Sequence, residues 1–212
     1  MQRFRNDGSC DDDRSGADER ALRQLAAIAA KRPISIGISA CLLGQPVRYD
    51  GRHKRHPWLV AELGRHVTWL AVCPEVELGL GVPRPPIELV RMAGGEIRLR
   101  AVDSGRDLTV AMGRHAAARV AELAAAQLSG YVFKARSPSC GVTGVAVRTV
   151  SAGRSGMPSI RDDGQPGTGL FAAELVARCP ELPVAQDSEL DSPDARARFV
   201  ERVCRYHARS TH

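Results

Sequence analysis

The sequence predicts an α/β protein with a single Rossmann-like domain and a mainly parallel sheet. Three short apolar segments, residues 33–40, 67–72 and 130–133, have the composition of buried strands. Helical patterns separate them, as the crossover connections of parallel strands require. A cysteine follows each segment within a loop, so these cysteines are expected at the C-terminal edge of the sheet.

The first half of the chain begins with a polar segment. Residues 1–17 are rich in Asp, Gly and Ser, so we expect a disordered lead. Residues 17–31 have apolar residues at helical spacing, acidic residues near the start and a lysine at the end, which predicts an amphipathic helix. The first strand, a charged loop, a short helix over 58–65 and the second strand follow.

The middle of the chain combines a loop, a hairpin and a long helix. Pro85 and Pro86 exclude regular structure at the end of the segment 73–86, which we interpret as loop. Apolar and polar residues alternate on both sides of Gly94 and Gly95, as in a hairpin. Residues 107–128 have a helical period and lead directly into the third strand.

The C-terminal third is predicted to start with a glycine-rich loop after residue 150. A helix over 169–178 and a short edge strand over 182–185 come next. An Asp-Ser-Pro sequence then opens a final amphipathic helix. We therefore expect an α/β domain over residues 18–190 and a C-terminal helical extension over 191–212.

Composition limits the classes of partner. The chain has 212 residues, a net charge of +6 and a pI near 9.3, with arginines spread along its length and only 4% aromatic residues. A basic surface tolerates anionic ligands, but without stacking residues nucleic acid is not the expected partner. No apolar run approaches the ~20 residues of a membrane span and no signal segment starts the chain, so a cytoplasmic protein is expected.

Three of the six cysteines are the candidate metal ligands. In a reducing compartment they are expected as thiols rather than disulfides. Cys41, Cys73 and Cys140 have no Cys-x-x-Cys spacing, so topology alone brings them together. Three thiolates suit a metal or cluster with one vacant coordination position. The alternative is that they are ordinary packing cysteines.

Two carboxylates are predicted to lie nearest to these cysteines. Glu75 is two residues after Cys73, and Asp50 follows Cys41 in the first loop. Either is a candidate general base if burial raises its pKa. Asp50 precedes a glycine, so the alternative is that it only bonds its own turn.

Other candidate site residues lie in the same loops. Ser137 and Ser139 offer hydroxyls that orient substrate or relay a proton, or that only satisfy the backbone of the turn. Gly141 allows the backbone to approach a ligand closely, or simply makes the turn. Arg48 and Arg84 are candidates to hold an anionic or carbonyl-bearing substrate, or to form surface ion pairs.

Four sequence blocks carry a family resemblance. They are ISACLLGQPVRYDG, CPEVELGLGVPRPPIEL, GRDLT and KARSPSCG, which start at residues 38, 73, 105 and 134. Together they resemble the domain-of-unknown-function 523 family, which includes the iron-sulfur thiouracil desulfurases. The similarity covers about residues 34–187 in the same order.

The resemblance implies a 4Fe-4S cluster held by Cys41, Cys73 and Cys140. It also implies a desulfidase that removes sulfur from a thiolated nucleobase, with the cluster iron that lacks a protein ligand binding the substrate sulfur as a Lewis acid. Glu75 and Ser137 match positions associated with proton transfer in the family. The expected substrate is a small thiocarbonyl compound, a thiopyrimidine.

Three other interpretations remain open at this point. In the first, the cluster serves a sulfur transfer on another substrate, including one linked to tRNA. In the second, the protein is a non-catalytic metal-binding or redox-sensing module with a fourth protein ligand, for which Cys179 is the candidate. A structural zinc site requires neither labile sulfide nor an open coordination position.

Overall fold

Two four-stranded sheets form the frame of the protein in the computed structural model, which describes residues 12–152, 158–162 and 164–209. The helices are α1 (Asp12–Ala29), α2 (Pro57–Ala61), α3 (Pro74–Glu77), α4 (Thr109–Ala125), α5 (Leu170–Arg178) and α6 (Pro193–Arg209). The strands are β1 (Ser35–Ser39), β2 (Thr68–Val72), β3 (Ile87–Arg91), β4 (Ile97–Ala101), β5 (Gly130–Phe133), β6 (Val147–Ala152), β7 (Pro158–Asp162) and β8 (Val184–Gln186).

The first sheet is entirely parallel, with the strand order β2-β1-β5-β8. Its central strands β1 and β5 are buried almost throughout, which explains why they are apolar without alternation. Helices α1 and α6 pack on one face, where Ile38 meets Phe199 and Val203 in a common core. Helices α4 and α5 pack on the other face around Tyr131 and Phe171. The predicted α/β fold with a mainly parallel sheet and a C-terminal helix is confirmed.

The second sheet is mixed and was not predicted as a sheet. Its order is β4-β3-β6-β7, with β3 parallel to β6 and the outer pairs antiparallel. The hairpin β3-β4 is confirmed, but β6 and β7 occupy part of the segment expected to be a glycine-rich loop. Pairing with β3 supplies backbone hydrogen bonds that local composition does not reveal, and Val147 packs in the core beside Leu89. Residues 153–157 and 163 of that expected loop lie outside the described residues.

One helix starts earlier than expected, and one short helix was not predicted from sequence. Helix α1 starts at Asp12, so residues 12–17 of the expected disordered lead are helical, while residues 1–11 lie outside the described residues. A polar segment continues a helix at low cost once later turns have nucleated it, and α1 packs against α6. Helix α3 lies within the expected loop 73–86, because Pro74 occupies its first turn, where proline is favourable.

The remaining elements follow the prediction closely. The short helix over 58–65 is α2 followed by a 3₁₀ turn, and β8 is the expected edge strand. Helix α6 contributes several fully buried side chains to the main core. No helix of the described residues is both long and apolar enough to cross a membrane. The domain boundaries at residues 17 and 190 stay predictions.

Candidate functional site

A cavity of about 190 Å³ lies at the carboxyl ends of the parallel strands. Cys41 follows β1, Cys73 follows β2, and Cys140 lies in the loop after β5; all three line the cavity. The topology therefore brings together cysteines that are far apart in sequence.

Local structure fixes Cys41 and Cys73 in different ways. Cys41 is in a 3₁₀ turn, Ala40–Leu43, that ends at Gly44 with a φ of 94°, a conformation that favours glycine. Cys73 precedes α3, where its backbone N–H donates to Glu77 Oε1 at 3.3 Å. The Cys73 thiol donates to the Val47 carbonyl at 3.7 Å. Cys41 is thus positioned by a tight turn, and Cys73 by hydrogen bonds to Glu77 and Val47.

The loop that carries Cys140 is docked on the first turn of α5. The backbone N–H groups of Leu170 and Phe171 donate to the carbonyls of Pro138 and Ser139 at 3.2 Å and 3.0 Å. These are N–H groups that have no partner within a helix, so the loop satisfies them. Gly169 permits this approach, since a Cβ there would lie 2.5 Å from the carbonyl carbon of Ser139.

Burial sets the protonation of the three thiols. It raises the pKa of Cys41 to about 11, with the nearby Cys73 adding to the shift. Burial also raises the pKa of Cys73 and, more strongly, that of Cys140, where Glu75 and the other two cysteines contribute. A raised pKa favours the protonated thiols over the thiolates at neutral pH. A bound cation would favour the thiolates and displace the protons.

Positively charged side chains surround the cysteines. Arg48, Arg84, Lys134 and Arg136 line the cavity. The charges of Arg48 and Lys134 favour the thiolate form of Cys41. Such a shell offsets the negative charge that three thiolates would bring into a partly buried site.

Glu75 lines the cavity and is held by three donors. Arg84 donates to its Oε2 through Nε at 2.9 Å and through Nη2 at 2.7 Å. Ser139 donates to its Oε1 at 3.1 Å from a fully buried position. Ser139 is therefore behind the carboxylate and does not line the cavity.

Ser137 also lines the cavity, and its oxygen serves the turn. It accepts hydrogen bonds from the backbone N–H groups of Ser139 at 3.3 Å and Cys140 at 3.1 Å. Both bonds use oxygen lone pairs, so the hydroxyl proton is available for donation into the cavity. Turn stabilisation and a role toward a ligand are compatible here.

Asp50 and Gly141 do not line the cavity. Asp50 accepts from the backbone N–H of Arg52 at 3.1 Å and from its Nε at 2.8 Å, and it pairs with Arg48 at 3.4 Å. Desolvation opposes the shift, but the bonds from Arg52 lower the pKa of Asp50 to about 2. That shift is opposite to the one expected for a general base. A Cβ on Gly141 would lie 2.4 Å from Val145, so the glycine serves loop packing.

Residues 36–187, most of the chain, match the family model described as 2-thiouracil desulfurase. The chain belongs to the 2-thiouracil desulfurase family.

Two individual proteins show the same relationship. The uncharacterized protein YbbK of Bacillus subtilis (strain 168) is 30% identical over 108 residues, which are 49% of this chain and 71% of that protein. A solved structure described as the 4Fe-4S-dependent thiouracil desulfidase TudS is similar at a TM-score of 0.53 and 36% identity. The match covers 74% of this chain and 93% of TudS.

The cavity of this desulfurase-family chain brings together three cysteine side chains, the type of donor that holds iron-sulfur clusters. Within the described residues, no three His, Cys, Asp or Glu side chains are grouped closely enough to hold one metal ion. A cubane cluster takes its cysteines on different irons, so its thiolates stand farther apart than those around one zinc. Cys179 lines a different cavity beside Leu123 and Tyr206, away from the three-cysteine site.

Several residues at this site were not assigned from sequence. Ser39 hydrogen-bonds Cys140 and accepts from the backbone N–H of Lys134 at 2.9 Å. Asp187, just after β8, accepts from the Lys134 ammonium group at 3.0 Å and from the backbone N–H of Ala135 at 2.6 Å. The strand-end rule that located the cysteines also applies to Asp187, because β8 is parallel to β5.

Proposed function

We propose that the protein is an iron-sulfur-dependent desulfidase that removes sulfur from a thiolated pyrimidine. The observation that carries the proposal is that Cys41, Cys73 and Cys140 line one cavity together with Glu75. The family match and the similarity to TudS support this reaction class. The overall reaction is hydrolytic: water supplies the carbonyl oxygen, sulfide leaves, and no electron acceptor is needed.

The three cysteines would hold a 4Fe-4S cluster and leave one iron without a protein ligand. When bound, that iron supplies a Lewis acid for the substrate's thiocarbonyl sulfur. Arg48 and Lys134 offset the charge of the thiolates from the cavity wall. In the alternative module with four protein ligands, Cys179 would have to reach this site, but it lines another cavity.

Glu75 and Ser137 are the residues that we assign to proton transfer. The Glu75 carboxylate accepts a proton from the water that attacks the thiocarbonyl carbon. The Ser137 hydroxyl directs its proton toward the departing sulfur, since backbone N–H groups occupy its lone pairs. Both side chains line the cavity in which the ring would bind.

The test is anaerobic purification, reconstitution with iron and sulfide, and assay of sulfide release from thiouracils. About four iron and four labile sulfide per chain are expected in the wild-type protein. Cys41→Ser, Cys73→Ser and Cys140→Ser should each lose the cluster and the activity, while the matched control Cys179→Ser keeps both. A protein that binds only zinc, or a cluster that survives the three substitutions, contradicts the proposal.

A further inference from the structure

Arg84 lines the cavity but directs its guanidinium into the protein. Its side chain is only 3% exposed. Nε and Nη2 donate to Glu75, and Nη1 donates to the Val47 carbonyl at 3.0 Å and to the Gly81 carbonyl at 2.9 Å. These four contacts occupy most of the five N–H donors of the guanidinium, so about one donor remains for a substrate.

We propose that Arg84 is a positioning residue that fixes the Glu75 carboxylate for proton transfer, and not a residue that binds the substrate. This inference rests on the proposed function. The paired donors of Arg84 hold Oε2, and Ser139 holds Oε1 from a buried position. Donors on both oxygens stop the carboxylate from rotating, and a fixed acceptor is what proton transfer at a set distance requires.

The same guanidinium connects Glu75 to the loop after β1. The Val47 carbonyl accepts from Arg84 Nη1, and it also accepts from the Cys73 thiol, whose proton would be displaced when the cysteine binds a cluster. The backbone N–H of Arg84 donates to the Tyr49 carbonyl at 2.9 Å. Arg84 thus joins the loop after β1, the start of α3 and the segment before β3. Its removal would let Glu75 move relative to Cys73.

Arg48 is the second arginine of the cavity that was a candidate for substrate binding, and its side chain is held differently. It lines the same cavity, its side chain is 22% exposed, and it contacts Asp50 at 3.4 Å and the Tyr49 ring at 5.5 Å. The contact to Asp50 is made by the Arg48 Nε, which is buried and forms this ion pair without a hydrogen bond to any described residue. A guanidinium that is more exposed and held by one longer ion pair is better suited to a substrate carbonyl than that of Arg84, so Arg48 is the matched control.

The first experiment compares Arg84→Lys with Arg48→Lys in the reconstituted enzyme. Lysine keeps the charge but replaces the two bonds that Arg84 makes to Glu75 Oε2 with a single contact. Arg84→Lys is expected to lower kcat by about 10²-fold with KM within about twofold. Arg48→Lys is expected to raise KM with a smaller effect on kcat. A raised KM and an unchanged kcat in Arg84→Lys would overturn the inference.

A double-mutant cycle with Glu75→Gln separates positioning from general structural damage. If Arg84 acts through Glu75, the variant with both substitutions is no slower than Glu75→Gln alone. Melting temperatures of the four loaded proteins give a second cycle that does not depend on turnover, and a non-additive change is expected there too. Multiplicative losses of kcat would contradict the proposed role, whatever the melting temperatures show; additive changes in melting temperature would show that the two side chains do not stabilise each other.

The outcomes distinguish this inference from the proposed function. If wild-type protein holds the cluster but releases no sulfide from any thiopyrimidine, the proposed function fails, whereas the melting cycle still tests the Arg84–Glu75 contact. If the wild-type enzyme is active and the kcat cycle is multiplicative, only the positioning role fails. Iron and labile sulfide are measured in every variant, so that kcat is expressed per loaded site.

Discussion

His207 is a buried histidine with partners on both sides of its ring. Arg32 Nε donates to Nε2 at 2.9 Å, and Ser129 Oγ lies 2.8 Å from Nδ1. Since an arginine can only donate, Nε2 must be unprotonated and the ring neutral. Burial lowers the pKa of His207, and the charge of Arg32 adds to the effect. The residue lies on α6, at the end of the sheet away from the cysteines.

This histidine predicts a loss of stability in acid. With a folded pKa below the usual 6.5, the unfolded chain binds more protons as pH falls. The free energy of unfolding should therefore decrease from about pH 6.5 down to the folded pKa and change no further from this group below it. Urea unfolding between about pH 8 and about pH 5 measures the slope, which His207→Gln should reduce.

In His207→Gln, we expect His56 to account for part of the remaining change of the free energy of unfolding with pH. Burial also lowers its pKa, again with an arginine nearby, and its ring accepts from the backbone N–H of Leu59 at the start of α2. The variant with both histidines replaced should have the flattest profile. An unchanged slope in His207→Gln would show that this residue does not titrate as described.

At the scale of elements, the site depends on how α5 meets the Cys140 loop. The helix N-terminus supplies N–H donors to the loop, and Gly169 is in contact with the Ser139 backbone. A side chain at residue 169 therefore acts on Cys140 through the backbone, without touching the cavity. The loop is further fixed by Gln186, which accepts from the backbone N–H of Val142 at 2.9 Å.

Gly169→Ala should displace the Cys140 loop and lower cluster retention. The added Cβ would stand 2.5 Å from backbone, which cannot yield as a flexible side chain does. Iron content after anaerobic desalting and the melting temperature are the two measurements, and both should fall. The control is Gly113→Ala in α4, which meets nothing within 4 Å and should stabilise the helix by about 0.5–1 kcal/mol. Equal iron retention in the two variants would contradict the prediction.

At the scale of the whole molecule, α6 belongs to the main core. Phe199 is 2% exposed, and it shares a core with Leu25 of α1 and Ile36 of β1. The core on this face of the first sheet is thus built from the first and the last helix of the described residues, α1 and α6. The helical extension expected from sequence is packed as firmly as the strands it covers.

Phe199→Ala should lower the free energy of unfolding by about 3–5 kcal/mol, because it leaves a cavity in a closed core. Arg198→Ala, at the exposed neighbouring position, should change it by less than about 0.5 kcal/mol. Urea unfolding of both variants provides the comparison. Similar values for the two would mean that α6 only covers the surface.

The sequence by itself determined the parallel strands, the long helices and the convergence of Cys41, Cys73 and Cys140. Each of these depends on local period and on the rule that parallel strands end at one edge. The family blocks further connected Glu75 and Ser137 to the cysteines, and both line the cavity. The local pattern was sufficient to predict a strand wherever that strand is buried on both faces of the sheet, because such a strand is a continuous apolar run.

Only the tertiary structure decided the second sheet and the partners of the charged side chains. Strand β6 exists because β3, far away in sequence, pairs with it, and no local period encodes that pairing. Arg48 and Arg84 look equivalent in sequence, yet Arg48 forms one partly exposed ion pair with Asp50, and Arg84 is buried and committed to Glu75. Hydrogen-bond partners depend on which loops meet in space, and that is settled when the sheet assembles.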